Sequence, residues 1–278
     1  MIYLFLAILS SVTVSVVMRL SSKKASGSYC MLAANYLVCF LIAGFFTGFD
    51  RFFPAEKGLP LTLLLGAGNG LLYLISFILY QHSVKKNGMV LSSTFMKLGL
   101  LVPIALSLLV FFEVPSLVQS IGFAVAIVAI ILIQGGGKEK AGQFSFGLIL
   151  LLITGGGANA MSELYDQIGS ASLSSQFLLY TFLTALAVCL AIVLVKKERP
   201  TKHSLFYGFL IGIPNYFSAR FLLLSLAKVP AFIAHPTYSA VSVCAVSILG
   251  VCLFREHLTK RQWIGMGIIL ISLILLNI

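Results

Sequence analysis

The sequence predicts an all-α membrane protein with ten transmembrane helices. Apolar residues make up 59% of its 278 residues and charged residues only 10%, and its mean hydropathy is +1.05. A soluble domain carries about a quarter charged residues, so this chain has too little polar surface to face water on all sides. Its apolar residues also form runs of about 20, the length at which a helix crosses the hydrocarbon core.

The apolar runs place the helices along the chain. The predicted spans are 2–19, 29–49, 61–82, 89–111, 117–134, 146–165, 172–195, 205–227, 231–254 and 261–277. The longest connections, 50–60 and 135–145, have the size of loops and leave no room for a soluble domain. The first run lacks a preceding positive charge and a small-residue cleavage site, so we expect a retained helix and not a signal peptide.

The positive charges favour one set of connections. The net charge is +11, but the cations lie in short gaps between apolar runs, a pattern typical of loops facing anionic lipid and not of a nucleic-acid-binding face. Fourteen lie in connections after odd-numbered helices and three in connections after even-numbered ones. Cytoplasmic loops carry the excess of Lys and Arg, so we expect both termini outside, in the inner or plasma membrane.

Short motifs recur in the same order in both halves of the chain. Gly66-x-x-Asn69 returns as Gly212-x-x-Asn215 at an offset of 146. At an offset of 143, Phe112-Glu113, Gln119 and Gly122 match Arg255-Glu256, Gln262 and Gly265. Since five is an odd number of helices, the second copy enters the membrane in the opposite direction. The sequence therefore predicts two inverted five-helix repeats, 1–137 and 144–278, a transporter architecture with its solute site near the midplane.

The C-terminal stretch resembles a known family. Val229–Leu276, with VPAFIAHPTYSAVSVCAVSILG and then LFREHLTKRQWIGMGIILISLILL, looks like the C-terminal repeat of the drug/metabolite transporter superfamily, EamA type. Residues 111–133 resemble the same region of the first repeat more loosely, with Val114-Pro115 where the family prefers Arg-Leu. The resemblance implies a ten-helix carrier that works by alternating access, without naming a substrate.

Two cations lie inside predicted spans, where charge is costly and marks candidate functional sites. Lys97 lies about 4–5 Å from the centre of helix 4, and Arg220 about 6 Å from the centre of helix 8. We predict that Lys97 holds an anionic solute group in a water-filled cavity; the alternatives are snorkelling to the interface and binding a buried carbonyl. Arg220 has two open roles, to bind a solute carboxylate or to pair with Glu163.

Two titratable groups are candidates for proton coupling. Glu163 and His235 both lie about 11–12 Å from the membrane centre in the outer half. For Glu163 the alternative is a carboxylate at the water interface, and for His235 it is an ordinary hydrogen-bonding residue near a helix end. Asn159 precedes Glu163 by four residues, so both project from one face of helix 6.

The remaining candidates are uncharged. Asn69 and Asn215 lie near the midplane and either bind solute or form interhelical hydrogen bonds. Five tyrosines are candidate cavity walls: Tyr73, Tyr80, Tyr165, Tyr216 and Tyr238. Gly155-Gly156-Gly157 lacks the Gly-Lys-Ser/Thr ending of a phosphate loop, so we expect it to allow close helix packing.

These features together predict a secondary active transporter of a small organic metabolite, with an amino acid or other carboxylate as the first substrate class. An exporter of neutral or cationic amphiphiles is the main alternative, and an intramembrane enzyme or a scaffold ranks lower. The sequence contains no catalytic motif, and its five cysteines all lie in apolar runs without a Cys-x-x-Cys, so we predict no enzyme activity, cofactor, metal site or disulfide. The expected partners are a solute, membrane lipid and a proton, and the chain is expected to be a monomer or homodimer.

Overall fold

The computed structural model describes residues 2–22, 28–48, 51–102, 116–134, 146–226, 228–229 and 231–275. Within these ranges the chain forms ten α-helices and no strand. They are α1 (Ile2–Ser21), α2 (Ser28–Thr47), α3 (Leu59–Asn87), α4 (Met89–Lys97), α5 (Leu117–Gln134), α6 (Phe146–Ile168), α7 (Ser174–Lys196), α8 (Lys202–Leu226), α9 (Ala231–Phe254) and α10 (Lys260–Leu275). Among the described residues, seven of the helices are long and apolar enough to cross a membrane. The predicted all-α membrane fold is confirmed.

The end of α3 differs from its predicted boundary. The helix continues beyond residue 82 to Asn87, so Lys85 and Lys86 lie in its last turn and not in a connection. Cations at this position interact favourably with the C-terminal end of the helix dipole. Gly88 then links α3 directly to α4 with a φ of +84°, a conformation that glycine adopts at little cost.

α4 changes its helical geometry at Lys97. The α-helix ends at Lys97 and continues as a 3₁₀ turn, Leu98–Leu100. Here α4 approaches α6 so closely that a Cβ at Gly156 would collide with the Gly99 carbonyl oxygen. The predicted role of Gly155-Gly156-Gly157 in close packing is thus confirmed at Gly156. The rest of predicted helix 4, 103–111, and Glu113 lie outside the described residues.

The pattern of helix neighbours is the same when the two halves are exchanged. α1 packs against α8 and α9, and its counterpart α6 packs against α3 and α4. α2 contacts α7 and α8, while α7 contacts α2 and α3; α4 packs against α9, and α5 packs against α10. Exchanging α1–α5 with α6–α10 converts each of these pairs either into another observed pair or into itself. This pattern supports the predicted inverted repeat, which stays a prediction.

Glycine contacts define the register between the two halves. On α3, Cβ atoms at Gly66 and Gly70 would run into α7 at Tyr180 and Thr181. On α8, Cβ atoms at Gly208 and Gly212 would run into α2 in the same way. These contacts pair Gly66 with Gly208 and Gly70 with Gly212. The sequence motif matches Gly66 with Gly212, whereas the packing pairs Gly66 with Gly208. The two alignments differ by four residues, about one helical turn.

Carboxylates tie the ends of the helices together. At one end of the bundle, here the first end, Glu198 accepts hydrogen bonds from the backbone N–H groups of Tyr29 and Cys30, each at 3.1 Å, at the start of α2. At the opposite, second end, Glu56 accepts one from Ser172 Oγ at 2.6 Å, just before α7. Each carboxylate belongs to one half of the chain and binds the other, so the halves are joined at both ends.

Candidate functional site: a central cavity around Lys97

A cavity of about 80 Å³ lies between the middle parts of α1, α3, α4, α6, α8 and α9. Its wall includes the predicted residues Lys97, Asn159 and Asn215. Six serine hydroxyls also face it, from Ser11, Ser15, Ser76, Ser93, Ser218 and Ser239. Four aromatic rings complete much of the wall: Tyr73, Phe77, Tyr80 and Tyr238. The described wall of the cavity thus combines one cation with hydroxyl groups and aromatic rings.

Lys97 is half-buried at the cavity wall and contacts uncharged groups. Its Nζ donates a hydrogen bond to Ser11 Oγ at 2.8 Å and lies 3.6 Å from the centroid of the Tyr238 ring. A cation over an aromatic face is attracted by the negative charge density of the ring. Neither contact neutralises the charge, and the described residues that line the cavity include no carboxylate. The ammonium is therefore placed to attract an anion into the cavity.

A chain of contacts fixes the position of the lysine. The Tyr238 hydroxyl shares a hydrogen bond of 3.0 Å with Ser218 Oγ, and Ser218 Oγ also donates to the Ala7 carbonyl oxygen at 3.4 Å. These bonds connect α9, α8 and α1. They hold the Tyr238 ring under Lys97, whose own backbone lies where α4 turns into a 3₁₀ helix.

The wall residues follow the same spacing in both halves. On α3 and α8 the lining positions recur with the i, i+3, i+4, i+7 pattern of one helix face: Tyr73, Ser76, Phe77 and Tyr80 on the former, Asn215, Ser218, Ala219 and Leu222 on the latter. On α1 and α6 they follow i, i+3, i+4: Ser11, Val14 and Ser15, then Gly155, Ala158 and Asn159. The third pair of helices matches only in part: α4 contributes Ser93, Met96 and Lys97, whereas α9 contributes the adjacent Tyr238 and Ser239. The counterpart of Lys97 in this wall is Ser239, one residue before the Ala240 that the sequence offset of 143 gives.

The two predicted asparagines both form interhelical hydrogen bonds. Asn215 Nδ2 on α8 donates to Asn35 Oδ1 on α2 at 3.1 Å, and Asn215 also lines the cavity. Asn69 is completely buried between α3 and α7, where its Nδ2 donates to Thr181 Oγ1 at 3.3 Å. A role of either side chain in solute binding stays a prediction.

The structure separates Arg220 from Lys97. Arg220 lines a second cavity of about 370 Å³ near the second end, together with Asp166, Ser174 and Ser175. Its guanidinium donates to Ser175 Oγ at 3.2 Å and lies 4.8 Å from the Phe46 ring centroid. Arg220 and Lys97 therefore line different cavities.

The coupling candidates occupy different parts of the structure. Glu163 is half-buried on α6, one helical turn beyond the cavity residue Asn159. His235 belongs to the first turns of α9, but its side chain lies outside the described residues. Proton coupling through either group stays a prediction.

Sequence reasoning missed the part that Glu256 plays. Its Oε1 accepts a hydrogen bond from the Met89 N–H at 2.7 Å and its Oε2 one from the Val90 N–H at 3.0 Å, at the start of α4. Arg19 Nε lies 3.0 Å from Oε1, and Arg19 also donates to the Val84 carbonyl oxygen at the end of α3. One carboxylate thus joins three helices of the first half to the second half. In the sequence, Glu256 lies in a short connection next to Arg255, and nothing there indicates that it contacts the first half of the chain.

The serines of the cavity were also missed. Their signal is weak because serine is common in membrane helices, where it bonds to backbone carbonyls. The signal that could have revealed them is the spacing of Ser11 and Ser15, which are four residues apart in an apolar helix and so lie on one face.

Comparison with known proteins identifies the family. Residues 144–278 match the EamA-like transporter family. This segment belongs to that family. The predicted resemblance is confirmed, and the match implies a multi-pass membrane transporter of the drug/metabolite type that carries a small-molecule solute.

Two further similarities extend over nearly the whole EamA-like chain. An uncharacterized protein of Haemophilus influenzae is 26% identical over 276 residues, covering 94% of this chain and 92% of that protein. A crystal structure of another protein superposes with a TM-score of 0.63 at 14% identity, covering 99% of this chain and 94% of its own. At that identity the second similarity shows the fold alone. The superposition covers the first half of the chain as well as the second.

Proposed function

We propose that the protein is a secondary active transporter that carries a small organic anion, such as an amino acid or another carboxylate, across the cell membrane by alternating access. The observation that carries this proposal is the environment of Lys97. Its ammonium lies in the central cavity against a hydroxyl and a ring, and the described wall has no carboxylate to neutralise it. A carboxylate of the solute supplies the missing negative charge when the cavity is dry.

The arrangement of the halves supports alternating access. The cavity lies between helices of both halves, and each end of the bundle is tied by carboxylates that cross between them. Such contacts break and form as one half rocks against the other around a fixed site, the movement typical of transporters with inverted repeats.

An exporter of neutral or cationic amphiphiles is the second candidate, favoured by the aromatic wall of the cavity. Aromatic faces attract cations. However, the Tyr238 face is already occupied by Lys97 at 3.6 Å, and a cationic solute would meet the like charge of the lysine. The structure therefore supports the anion more strongly.

Binding to Lys97 variants tests the proposal. Purified wild-type protein is first screened by thermal shift against organic acids, amino acids, nucleosides and amines, and uptake of each hit is measured in proteoliposomes. Lys97→Ala is expected to fold normally and to bind an anionic hit at least about tenfold more weakly. Lys97→Arg is expected to recover only part of the affinity, because guanidinium and ammonium differ in size and shape.

Lys228→Ala is the matched control. Lys228 also lies near an aromatic ring, 5.3 Å from the Tyr3 centroid, but it is exposed and does not line the cavity. Full affinity in monodisperse Lys97→Ala, or hits confined to amines, would overturn the anion proposal.

A further inference from the structure

The central cavity contains two hydroxyl groups whose hydrogen-bonding capacity the protein leaves unused. Ser76 and Tyr80 are each only 1% exposed, yet Ser76 Oγ and Tyr80 Oη have no hydrogen-bond partner among the described residues. The two residues are four positions apart on α3 and both line the cavity. Buried polar groups almost always have a hydrogen-bond partner. Two buried hydroxyls without one at the same cavity wall therefore point to a ligand that forms hydrogen bonds with them.

Other buried hydroxyls in these helices bond to the carbonyl one turn earlier. Thr94 Oγ1 bonds to the Val90 oxygen at 2.8 Å, and Ser247 Oγ bonds to the Val243 oxygen at 2.6 Å. Ser76 makes no such bond. On the facing side α6 presents Gly155, whose added Cβ would lie 3.5 Å from Ser76 Oγ. At this position the hydroxyl therefore meets a glycine and no polar side chain of α6.

Tyr80 is placed similarly on the next turn. Its hydroxyl lies beside Ser15 and Ser93, but it makes no hydrogen bond of normal geometry to either. Ser15 Oγ and Ser93 Oγ bond to each other at 3.2 Å instead. The Tyr80 hydroxyl is thus fixed at the wall with capacity left for a solute.

We propose that Ser76 and Tyr80 form a subsite for an uncharged hydrogen-bonding group, such as a hydroxyl, on an anionic solute whose carboxylate Lys97 binds. This rests on the proposed function, because it assumes that Lys97 holds the anion. A hydroxyl donates and accepts at once and matches the capacity of both side chains, without the counter-charge that an ammonium group needs. The cavity of about 80 Å³ holds several water molecules, so the solute is a small hydroxylated acid.

Two matched pairs of probes test the subsite by calorimetry on purified protein. Lactate is compared with propionate, and 3-hydroxybutyrate with butyrate, so that each pair differs in a single hydroxyl at one of two positions. Wild-type protein is expected to prefer the hydroxylated acid of at least one pair by about 2- to 12-fold, the effect of one neutral hydrogen bond. Ser76→Ala and Tyr80→Phe are each expected to reduce this preference, and the double variant to abolish it.

Ser247→Ala is the matched control, because it also deletes a buried hydroxyl, one that bonds within its own helix. It is expected to keep the wild-type preference. Equal binding of both acids in each pair by the wild type, or an unchanged preference in the double variant, would overturn the subsite and leave the anion site standing. If none of the four acids binds although the thermal-shift screen yields another anionic hit, the subsite for a small hydroxylated acid is wrong and the anion site stands; if the screen yields no anionic hit, both proposals are wrong.

Discussion

Glu256 Oε1 lies 3.0 Å from Arg19 Nε, and the Glu256 side chain is only 7% exposed. The same carboxylate binds the first two backbone N–H groups of α4, where the helix dipole also favours a negative charge. Because Glu256 follows α9, the contact fastens the second half to α1 and α4 of the first half. It closes the first end of the bundle, beyond the central cavity.

Replacing Glu256 by Gln is expected to loosen this closure. The substitution removes the negative charge from a mostly buried guanidinium and from two helix-terminal donors, which costs roughly 2–3 kcal/mol of stability. We expect a lower melting temperature in detergent. We also expect faster oxidation of Met89, which is fully buried beside the carboxylate, when peptides are analysed by mass spectrometry.

Glu56→Gln provides the comparison for this variant. Glu56 carries the same chemistry at the second end, but it is exposed and bonds to an exposed Ser172 hydroxyl. It is expected to leave the melting temperature and Met89 oxidation near wild type. Equal effects of the two substitutions would show that Glu256 has no special role in closing the first end.

The close contact of α4 with α6 predicts that one added methyl group at Gly156 destabilises the protein. In Gly156→Ala the new Cβ would collide with the Gly99 carbonyl oxygen and with the Val102 side chain, an overpacking that costs about 1–3 kcal/mol. Gly147→Ala is the control on the same helix, because no atom lies within 4 Å of its added Cβ. Thermal unfolding of both variants checks this, and equal melting temperatures would contradict the close contact.

Proton coupling through Glu163 predicts a response to a pH gradient. Wild-type proteoliposomes are expected to accumulate solute faster with an imposed gradient than without one. Glu163→Gln removes the titrating group and is expected to abolish the difference, and His235→Asn tests the second candidate in the same assay. If uptake ignores the gradient in the wild type and Glu163→Gln transports normally, coupling through this group is wrong.

The distribution of cations predicts that both termini face outward. In a variant without native cysteines, a cysteine added after Ile278 is expected to react with an impermeant maleimide applied to whole cells, whereas Lys197→Cys is expected to react only after permeabilisation. The reverse pattern would invert the orientation and leave the helix bundle unchanged.

The sequence predicted the helices well because the membrane imposes one dominant rule, the length of an apolar run. It failed at the end of α3, where Lys85 and Lys86 continue the helix to Asn87. Charge marks the edge of the hydrocarbon core, but a helix extends beyond that edge as long as its backbone is hydrogen-bonded. The position of Gly88 gives the true end.

The sequence drew attention to Lys97 but did not indicate which other residues lie near it. Lys97 was found because a cation near the middle of an apolar run is rare and costly. Arg220 has the same signal, yet it lines another cavity, because depth along a helix does not tell which face a residue occupies. The roles of Ser76 and Glu256 depend on atoms that other helices bring near, Gly155 and Arg19 respectively, and no local pattern carries that information.

The two halves contribute similarly spaced residues to the cavity wall, but the chemistry of these residues differs: Lys97 corresponds to Ser239, and Tyr73 to Asn215. In a carrier whose two access states interconvert by exchanging the shapes of its halves, an identical wall would bind solute equally from either side of the membrane. Here the only charge on the described wall belongs to the first half. Under the proposed alternating access, the solute therefore meets the ammonium in a different setting in each state, and we expect the two faces of the carrier to bind it with unequal affinities.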